Sequence, residues 1–571
     1  MAKFDMRVPV PEAPGLISKK NVGGKTYVYY ETGRDYLPEK KYTVPKRVGI
    51  GKLTDDGLMV PNNNFAKFFP DLVPGAEIRS RTSFTLRAGV YFVLSRLVET
   101  SGVAEILGDV FGKDAAGLVT DLAAYSIVTE GNAAQYYPDY TFNHPVFTVG
   151  MERCGDSKVS DFFRSITEEE TALFLGGWNR LHKTSGRIYI SYDSTNKNCQ
   201  AGEIDIVEFG HAKDDCGKPV FNFSVAYDQD NGDPLFYEEY LGSVVDVSQL
   251  QHMLLKAAGY GYENVGFVFD RGYFSKKNIG FLDGSGFAYV IMARGLCACV
   301  VRVVESVRGT FEDRRACHVR GCGVNATTVK AKLYPDDLRE KYIHVIFNPA
   351  KAAAERARLE EHVEKMSRLL EKSEGKEATF GESVRHYFEL VYDREKRTFL
   401  YAKEKEDVVE REIGLCGYIA LVTSEEMTAA EALRIYRGRD ASEKLFRGDK
   451  SYLGNNSARV CSDEALSGKI FIEFVALILR NRIYTGLKNA QLKNEKKRNY
   501  MTVPAAIREL EKLEMSRRSD NVYVLDHAVT ATQKEILAAF GLDADYVSEQ
   551  AKTLSEKIAE SEKGDVANGN G

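Results

Sequence analysis

The chain has few of the features that mark a secreted or membrane-spanning protein. Only nine of its 571 residues are cysteine, which suits a reducing compartment better than a disulfide-stabilised secreted fold. Its longest apolar run, Ile470 to Leu479, is too short to cross a bilayer and contains Glu473. The first residues also lack the apolar segment of a secretion signal. We therefore expect a cytoplasmic protein with no membrane partner.

Neither the cysteines nor the single tryptophan forms a recognisable site motif. Four cysteines and a histidine lie near one another in the sequence: Cys297, Cys299, Cys317, His318 and Cys322. Their spacings fit no standard zinc motif, so ordinary thiols are favoured over a zinc site. Trp178 could stack on a base, but a place in the protein core is the more frequent use of this residue.

The chain also lacks a strong net charge. A formal charge of -5 and a pI near 6.1 argue against indiscriminate binding of polyanions. Two segments are nevertheless basic, because residues 1–52 contain 11 Lys and Arg against 5 Asp and Glu, and residues 434–500 contain 15 against 7. We expect these segments to provide surfaces for DNA. The charges of residues 493–498 fit a solvated linker equally well.

Two aspartates follow segments that have the composition of buried strands. Residues 186–192 are rich in β-forming side chains and lead into Asp193, and the largely apolar residues 264–269 lead into Asp270. We therefore predict that each aspartate lies at the C-terminal end of a strand. If the two strands are neighbours, the two carboxylates lie close together.

The segment between these aspartates predicts how the strands are arranged. Residues 217–227 and 234–240 flank a turn-rich stretch, which indicates a β-hairpin. Residues 246–258 have the apolar spacing of a helix, which can return the chain for a parallel strand. The order is therefore strand, strand, strand, helix, strand, in an α/β fold.

A third acid lies in a polar stripe on a predicted helix. Tyr436, Arg439, Glu443 and Lys450 follow the pattern Tyr-x2-Arg-x3-Glu-x6-Lys. On one continuous helix these side chains fall within roughly a 60° arc over about four turns. Taken singly, each is better explained as a solvated surface residue, and each aspartate as a turn or cap residue. Taken together, in this chain order, they favour a functional site.

Three clustered carboxylates predict a metal site. Two carboxylates about 4 Å apart repel each other by about 4 kcal/mol at an effective dielectric of about 20, so the cluster takes up protons or cations. Hard carboxylate oxygens favour Mg²⁺ or Mn²⁺. Two such ions can activate an attacking oxygen and stabilise a leaving oxygen. We therefore expect two Mg²⁺ or Mn²⁺ ions, held by Asp193, Asp270 and Glu443.

These motifs resemble those of bacterial DDE transposases. The strand order with its acids is similar to the ribonuclease-H-like catalytic core, and Asp193, Asp270 and Glu443 resemble the catalytic triad of that family. The Tyr-Arg-Glu-Lys spacing matches the signature of a large insertion-sequence group, and Asp270-Arg-Gly-Tyr-Phe-Ser is similar to that group's second-aspartate motif. The resemblance covers roughly residues 186–490.

The resemblance implies a function and a role for each residue. Water would cleave the DNA at the ends of the element, and the freed 3′-hydroxyl would then join to target DNA at the same site. Arg439 and Lys450 would hold phosphates, and Tyr436 would hydrogen-bond or stack at the DNA end. The partners would be double-stranded DNA, as terminal inverted repeats and target, and a second copy of the chain in a homodimeric synaptic complex.

The chain is long enough for several domains. We predict an N-terminal DNA-recognition and dimerisation region over residues 1–185. The catalytic core is predicted in two parts, residues 186–295 and residues 411–490, and the second part contains the signature helix. A mostly β insertion over residues 296–410 separates the two parts, and a helical C-terminal region with a disordered tail covers residues 491–571. The insertion is inferred from the long separation between Asp270 and Glu443. Within it, residues 301–305 and 329–333 predict strands, and residues 351–372 predict a helix.

Three functions remain open on the sequence alone. The first is an active transposase, the second is a DNA-binding regulator derived from a transposase, and the third is a metal nuclease that cleaves without strand transfer. The presence of all three acids counts against the regulator. Joined DNA products would separate the first function from the third.

Overall fold

The structure is a computed structural model that describes residues 7–37, 41–69, 72, 83–182, 187–200, 204–209, 217–243, 246–262, 264–393, 398–493, 501–518 and 522–568. A nine-stranded mixed sheet lies at its centre, and helices pack on the faces of this sheet. Across the described ranges, no helix has both the length and the apolar character needed to cross a membrane.

The N-terminal residues form a small antiparallel sheet. Its strands are β1 (Ile17–Val22), β2 (Lys25–Leu37), β3 (Tyr42–Leu53) and β4 (Met59–Pro61), followed by the short helix α1 (Phe65–Phe68). A separate core that includes Val28, Ile50 and Phe65 holds this sheet together. The Tyr-, Val- and Gly-rich composition of residues 25–52 predicts a small β unit, and the structure confirms it.

A group of helices follows this sheet in the chain. Its elements are β5 (Thr85–Arg87), α2 (Gly89–Thr100), α3 (Val103–Thr129), α4 (Tyr137–Asn143), α5 (Asp156–Ser165) and α6 (Glu168–Leu181). Trp178 is fully buried in α6, and its Nε1 donates to the carbonyl of Pro234 at 2.7 Å. The predicted core position of Trp178 is therefore confirmed.

Five strands form the part of the central sheet that carries the two aspartates. They are β6 (Ile188–Asn198), β7 (Val220–Asp228), β8 (Asp233–Leu241), β9 (Val265–Phe269) and β10 (Ala288–Met292), with α7 (Asp246–Gly259) and α8 (Lys276–Ser285) between them in the chain. Their order across the sheet is β8-β7-β6-β9-β10. β9 is parallel to β6 and β10, whereas β7 is antiparallel to β6 and β8. The predicted hairpin, helix and parallel strand are all present.

The segment after β10 contains both helices and strands. Its elements are α9 (Ala298–Val307), β11 (His318–Val319), β12 (Val324–Ala331), β13 (Lys341–Phe347), α10 (Pro349–Glu371), α11 (Glu382–Tyr387), β14 (Phe388–Tyr392), β15 (Phe399–Glu404), α12 (Glu406–Ile413) and β16 (Tyr418–Thr423). The β-forming residues 386–392 and 398–402 predict a strand pair, which β14 and β15 form, and α10 is the predicted helix. Phe388 and Phe399 pack with α10 in a small core of their own.

The prediction of a mostly β insertion is wrong in two respects. First, β11, β12 and β13 are not part of a separate domain, because they pair through β16 with β10 and so extend the central sheet. Second, residues 301–305 lie in helix α9 and not in a strand. Val300, Val303 and Val304 recur at helical spacing and face the core, and this packing outweighs the β-preference of valine.

The C-terminal part of the chain is mostly helical. Its elements are α13 (Ala429–Gly438), α14 (Asp440–Tyr452), α15 (Asp463–Lys493), α16 (Val503–Leu510), β17 (Glu514–Arg517), β18 (Tyr523–Leu525), α17 (Ala531–Ala538) and α18 (Ala544–Asn568). β17 pairs with both β18 and β5. This small sheet therefore joins the predicted N-terminal region, residues 1–185, to the predicted C-terminal region, residues 491–571.

The tail of the chain also differs from the prediction. Its Gly- and Asn-rich composition predicts disorder from residue 561 onward, yet α18 continues to Asn568. Residues 569–571 lie outside the described part of the chain.

The close approach of α15 to α5 provides a test of the packing. A Cβ on Gly468 would overlap the backbone carbonyl oxygen of Phe163, so Gly468→Ala requires the two helices to separate. We expect a cost of about 1–3 kcal/mol, read as a lower midpoint of thermal unfolding by circular dichroism. The control is Gly176→Ala in α6, where a Cβ meets nothing within 4 Å. Because alanine favours helix, the control should melt at the wild-type temperature or above it, and equal midpoints for the two variants would contradict this packing.

Candidate active site

The register of two parallel strands places Asp193 beside Asp270. β6 and β9 pair in parallel, and the last pair is Tyr192 opposite Phe269. Asp193 follows Tyr192 in the chain, and Asp270 follows Phe269. Phe269 belongs to the core on one face of the sheet and Val268 to the core on the other, which fixes this register. The predicted proximity of the two aspartates follows directly.

Asp193 is not at the end of its strand, contrary to the prediction. β6 continues to Asn198, and beyond Tyr192 it pairs with β7 alone. The residues after Asp193 are polar, and the sequence therefore suggests a strand end. At the end of this segment, the backbone of Asn198 hydrogen-bonds to residues 456–458, which come much later in the chain. This pairing satisfies backbone polar groups of β6, so the strand continues past Asp193.

The third acid comes from a helix that follows β16. Thr428 begins α13, where its hydroxyl accepts from the Glu431 N–H at 3.1 Å. Leu433 packs on the face of the sheet that contains Val268. Glu443 then lies in the first turn of α14, on the next helix along the chain.

The predicted single helix is in fact two helices that meet at Arg439. With its amide oriented to satisfy both groups, Gln229 donates to the Ile435 carbonyl at 3.0 Å and accepts from the Arg439 N–H at 3.2 Å. These two backbone groups would otherwise bond to each other across one helical turn. Gly438 leaves room for this insertion, since a Cβ there would overlap the Gln229 amide. A side chain inserted into the helical ladder explains the break.

Arg439 lies between the three candidate acids, Asp193, Asp270 and Glu443. Its Nη1 is 3.2 Å from Asp193 Oδ2, and its Nη2 is 2.6 Å from Glu443 Oε1 and 3.9 Å from Asp270 Oδ1. Burial alone would lower the pKa of Arg439, but the neighbouring acidic groups raise it above its usual value. One buried cation therefore contacts three carboxylates that come from three separate elements.

Tyr436 is buried in the core on the α13 side of the sheet and does not lie on the surface. Its hydroxyl donates to Asp270 Oδ1 at 3.2 Å, and its ring faces the Arg439 guanidinium at 5.6 Å. Burial raises the pKa of Tyr436, and the Asp270 carboxylate raises it further, so the phenol remains protonated and able to donate. In this structure Tyr436 orients Asp270.

The candidate acids differ in their access to solvent. The side chain of Asp193 is 19% exposed, that of Asp270 35% and that of Glu443 56%. The cluster therefore opens on the side of Glu443, where a substrate can approach. Lys450 lies farther along α14, half-buried, about two turns after Glu443.

The donor set of this cluster is chemically suited to a hard divalent cation. All three candidate acids are carboxylates, and they already share one positive group, Arg439. As the described side chains are placed, no three of His, Cys, Asp or Glu surround a point where a metal ion would bind. Binding of an ion between the candidate acids therefore requires the guanidinium to move.

The sequence analysis missed Gln229 and Gly438, which set the position of Arg439. Gln229 lies in the hairpin turn between β7 and β8, where a polar residue has no distinctive meaning. Gly438 gave the one usable signal, because a glycine inside a helical pattern costs about 1 kcal/mol and often marks a close approach.

Comparisons with known proteins show a family for this chain. The family model described as "Transposase DDE domain" matches residues 187–479, which contain all three candidate acids. No curated protein is similar to the chain in sequence.

Among solved structures, the chain has a distant similarity to the piggyBac transposase, in a cryo-EM structure of its synaptic complex with hairpin DNA. The identity is 9% and the TM-score 0.32, over 73% of this chain and 70% of that one. This likeness is too weak to support a shared detail. The family model spans more than half of the chain, and on that ground the chain belongs to the transposase DDE domain family and is a DDE transposase.

Proposed function

We propose that Asp193, Asp270 and Glu443 are the catalytic acids of this transposase and that they hold two Mg²⁺ or Mn²⁺ ions. The observation that carries the proposal is the contact of one guanidinium, that of Arg439, with all three carboxylates. The three acids converge on the position that the guanidinium occupies, where a smaller ion can replace it if the carboxylates close around that ion. DDE transposases as a family depend on divalent metal ions.

The strand order supports a ribonuclease-H-like core as part of this proposal. Counted along the chain, the first five strands of the sheet lie in the order 3-2-1-4-5, with the first, fourth and fifth parallel. The first aspartate lies on the first of these strands and the second follows the fourth. The two aspartates thus lie side by side, one residue beyond the last paired positions of β6 and β9.

Each residue has a role in the proposed reaction. Divalent ions, when bound, activate the attacking oxygen and stabilise the leaving oxygen of phosphoryl transfer. The three carboxylates hold those ions, and Tyr436 fixes the orientation of Asp270. Arg439, displaced from the acids, is well placed to pair with a phosphate of the DNA, and Lys450 provides a second cation on the same helix as Glu443.

We propose double-stranded DNA as the substrate, both as terminal inverted repeats and as target, with two copies of the chain at the synapse. The N-terminal sheet supports this, because Lys19, Lys20 and Lys25 are exposed on it. The basic segment of residues 434–500 gives less support than its composition implies. Lys469 and Arg480 are buried there, so their charges do not face a ligand.

Removal of a single carboxylate tests the catalytic proposal. We expect Asp193→Asn, Asp270→Asn and Glu443→Gln each to reduce Mg²⁺-dependent cleavage at least a hundredfold, since each removes a charged metal ligand at constant volume. The assay is strand cleavage of a plasmid that carries the DNA flanking the gene, with binding measured in parallel by fluorescence anisotropy.

The control for this series is Asp440→Asn, an exposed carboxylate in the same helical turn as Glu443. It should cleave at the wild-type rate. Normal cleavage by any of the three test variants would remove that residue from the proposed triad. A wild-type chain that binds the DNA but never cleaves it would favour the regulator, and cleavage without joined products would favour the nuclease.

Arg439 provides a test of metal binding that does not depend on catalysis. In Arg439→Ala the three carboxylates lose the cation that competes with a metal ion. We expect Mn²⁺ to bind more tightly in the absence of DNA, on the order of tenfold or about 1.4 kcal/mol, by titration calorimetry. Cleavage should fall in the same variant because alanine cannot pair with a phosphate of the DNA.

Arg437→Ala is the matched control for this variant. It removes the same charge from an exposed side chain two residues away, which contacts Cys322 at 2.8 Å and not the acids. Its Mn²⁺ affinity should equal that of the wild type. Weaker Mn²⁺ binding by Arg439→Ala would count against displacement of the guanidinium.

The exposed lysines of the N-terminal sheet provide a test of DNA binding. We expect a Lys19→Gln/Lys20→Gln/Lys25→Gln variant to bind duplex DNA less tightly and to show a shallower dependence of log K on log salt, by about one unit for each lysine that pairs with a phosphate in the wild type. The control variant carries the same substitution, lysine to glutamine, at Lys365, Lys372 and Lys376. These side chains are exposed on α10 and just after it. An unchanged salt slope in the first variant would place the DNA surface elsewhere.

A further inference from the structure

A second group of charged residues lies buried behind the candidate acids. The Lys197 side chain is 1% exposed, and its Nζ lies 2.9 Å from Asp449 Oδ2 and 2.9 Å from Glu473 Oε2. Lys469, also buried, donates to the carbonyl of Ala458. We call Lys197, Lys469, Asp449 and Glu473 the buried ion cluster. It contains two cations and two anions, so its formal charge is balanced.

The buried ion cluster joins the elements that carry two of the candidate acids. Lys197 lies on β6, four residues after Asp193, so both side chains project from the same face of the strand about 13 Å apart. Asp449 lies on α14, six residues after Glu443. The pair Lys197–Asp449 is therefore a direct link between the strand of the first acid and the helix of the third.

Backbone hydrogen bonds continue the same link beyond the end of β6. The Asn198 N–H donates to the Asn456 carbonyl and the Ala458 N–H donates to the Asn198 carbonyl, both at 2.9 Å. Asn455 in turn donates from Nδ2 to Asp449 Oδ1 at 2.8 Å. The chain that leaves α14 is thereby attached to the last residue of β6.

Burial makes this ion pair a poor source of stability. Burial alone would lower the pKa of Lys197, and Asp449 and Glu473 raise it above its usual value, so the lysine is charged. Replacement of a buried ion pair by uncharged groups often costs little stability, whereas removal of one partner alone is strongly destabilising. A buried pair of this kind is better explained by the geometry that it imposes.

We propose that Lys197 is a positioning residue. It sets the position of α14 along the direction of β6 and so places Glu443 opposite Asp193. The inference rests on the proposed function, because it assigns to Glu443 the role of a metal ligand. Apolar contacts such as that between Phe446 and Phe223 also hold α14 on the sheet, but they are less directional than an ion pair. The charged pair has one favourable position and therefore defines the register.

The test uses a variant in which the charge of the cluster stays balanced. Lys197→Met/Asp449→Asn removes the pair and leaves Lys469 with Glu473. We expect this variant to melt close to the wild-type temperature but to bind Mn²⁺ about tenfold less tightly by titration calorimetry without DNA, since residues that orient metal ligands typically contribute that much. Its kcat for cleavage should fall while KM for DNA is unchanged.

The matched control is Lys469→Met/Glu473→Gln, which removes the other two charges and keeps Lys197 beside Asp449. Its Mn²⁺ affinity should equal that of the wild type. The positioning role is overturned if the two double variants bind Mn²⁺ equally well while Glu443→Gln binds it poorly. If Glu443→Gln itself binds Mn²⁺ and cleaves DNA normally, the proposed function fails instead. Because metal affinity is measured on folded protein, a purely structural role for Lys197 would change only the melting temperature.

Discussion

Three carboxylates held in one small space repel one another, and this repulsion sets the conditions that the rest of the structure meets. Without a cation the acids would move apart or take up protons. Arg439 supplies that cation from the junction of α13 and α14 and contacts all three carboxylates. The acids are therefore held together by a cation that belongs to the protein, and under the proposed function a metal ion would take the place of this guanidinium.

The fold fixes the three acids by different means. β6 and β9 pair in parallel and are buried on both faces of the sheet, which holds the backbone of Asp193 in place relative to that of Asp270. A helix on a sheet has no comparable ladder of hydrogen bonds, so α14 depends on side chains for its position. Gln229 holds the start of the helix, and Asp449 is bonded near its end. Polar groups in otherwise apolar interfaces provide the directionality that apolar packing lacks.

The sequence was sufficient to predict that Asp193, Asp270 and Glu443 lie near one another, and to predict the strands that precede or carry the two aspartates. Asp193, Asp270 and Glu443 could be identified because acids after β-forming or apolar segments and a fixed helical spacing are local patterns. The helix break at Arg439 could not be predicted, since it depends on Gln229 from a distant hairpin. The burial of Arg439 and Tyr436 was missed for the same reason, because charge and aromaticity alone suggested contact with DNA. The helix α9 was misread from valine content, since tertiary packing decided its conformation.

The pairing of β5 with β17 has a consequence for how the protein is made. Leu86 lies opposite Met515, so the two strands are synthesised at opposite ends of translation. The helices that follow β5 also pack against α15, which emerges late. Much of the N-terminal half must therefore wait for the C-terminal third before it can bury its apolar surface. If synthesis stops after Glu443 but before α15, the chain contains all three candidate acids but cannot close its apolar core. Such a chain is a substrate for chaperones or proteases.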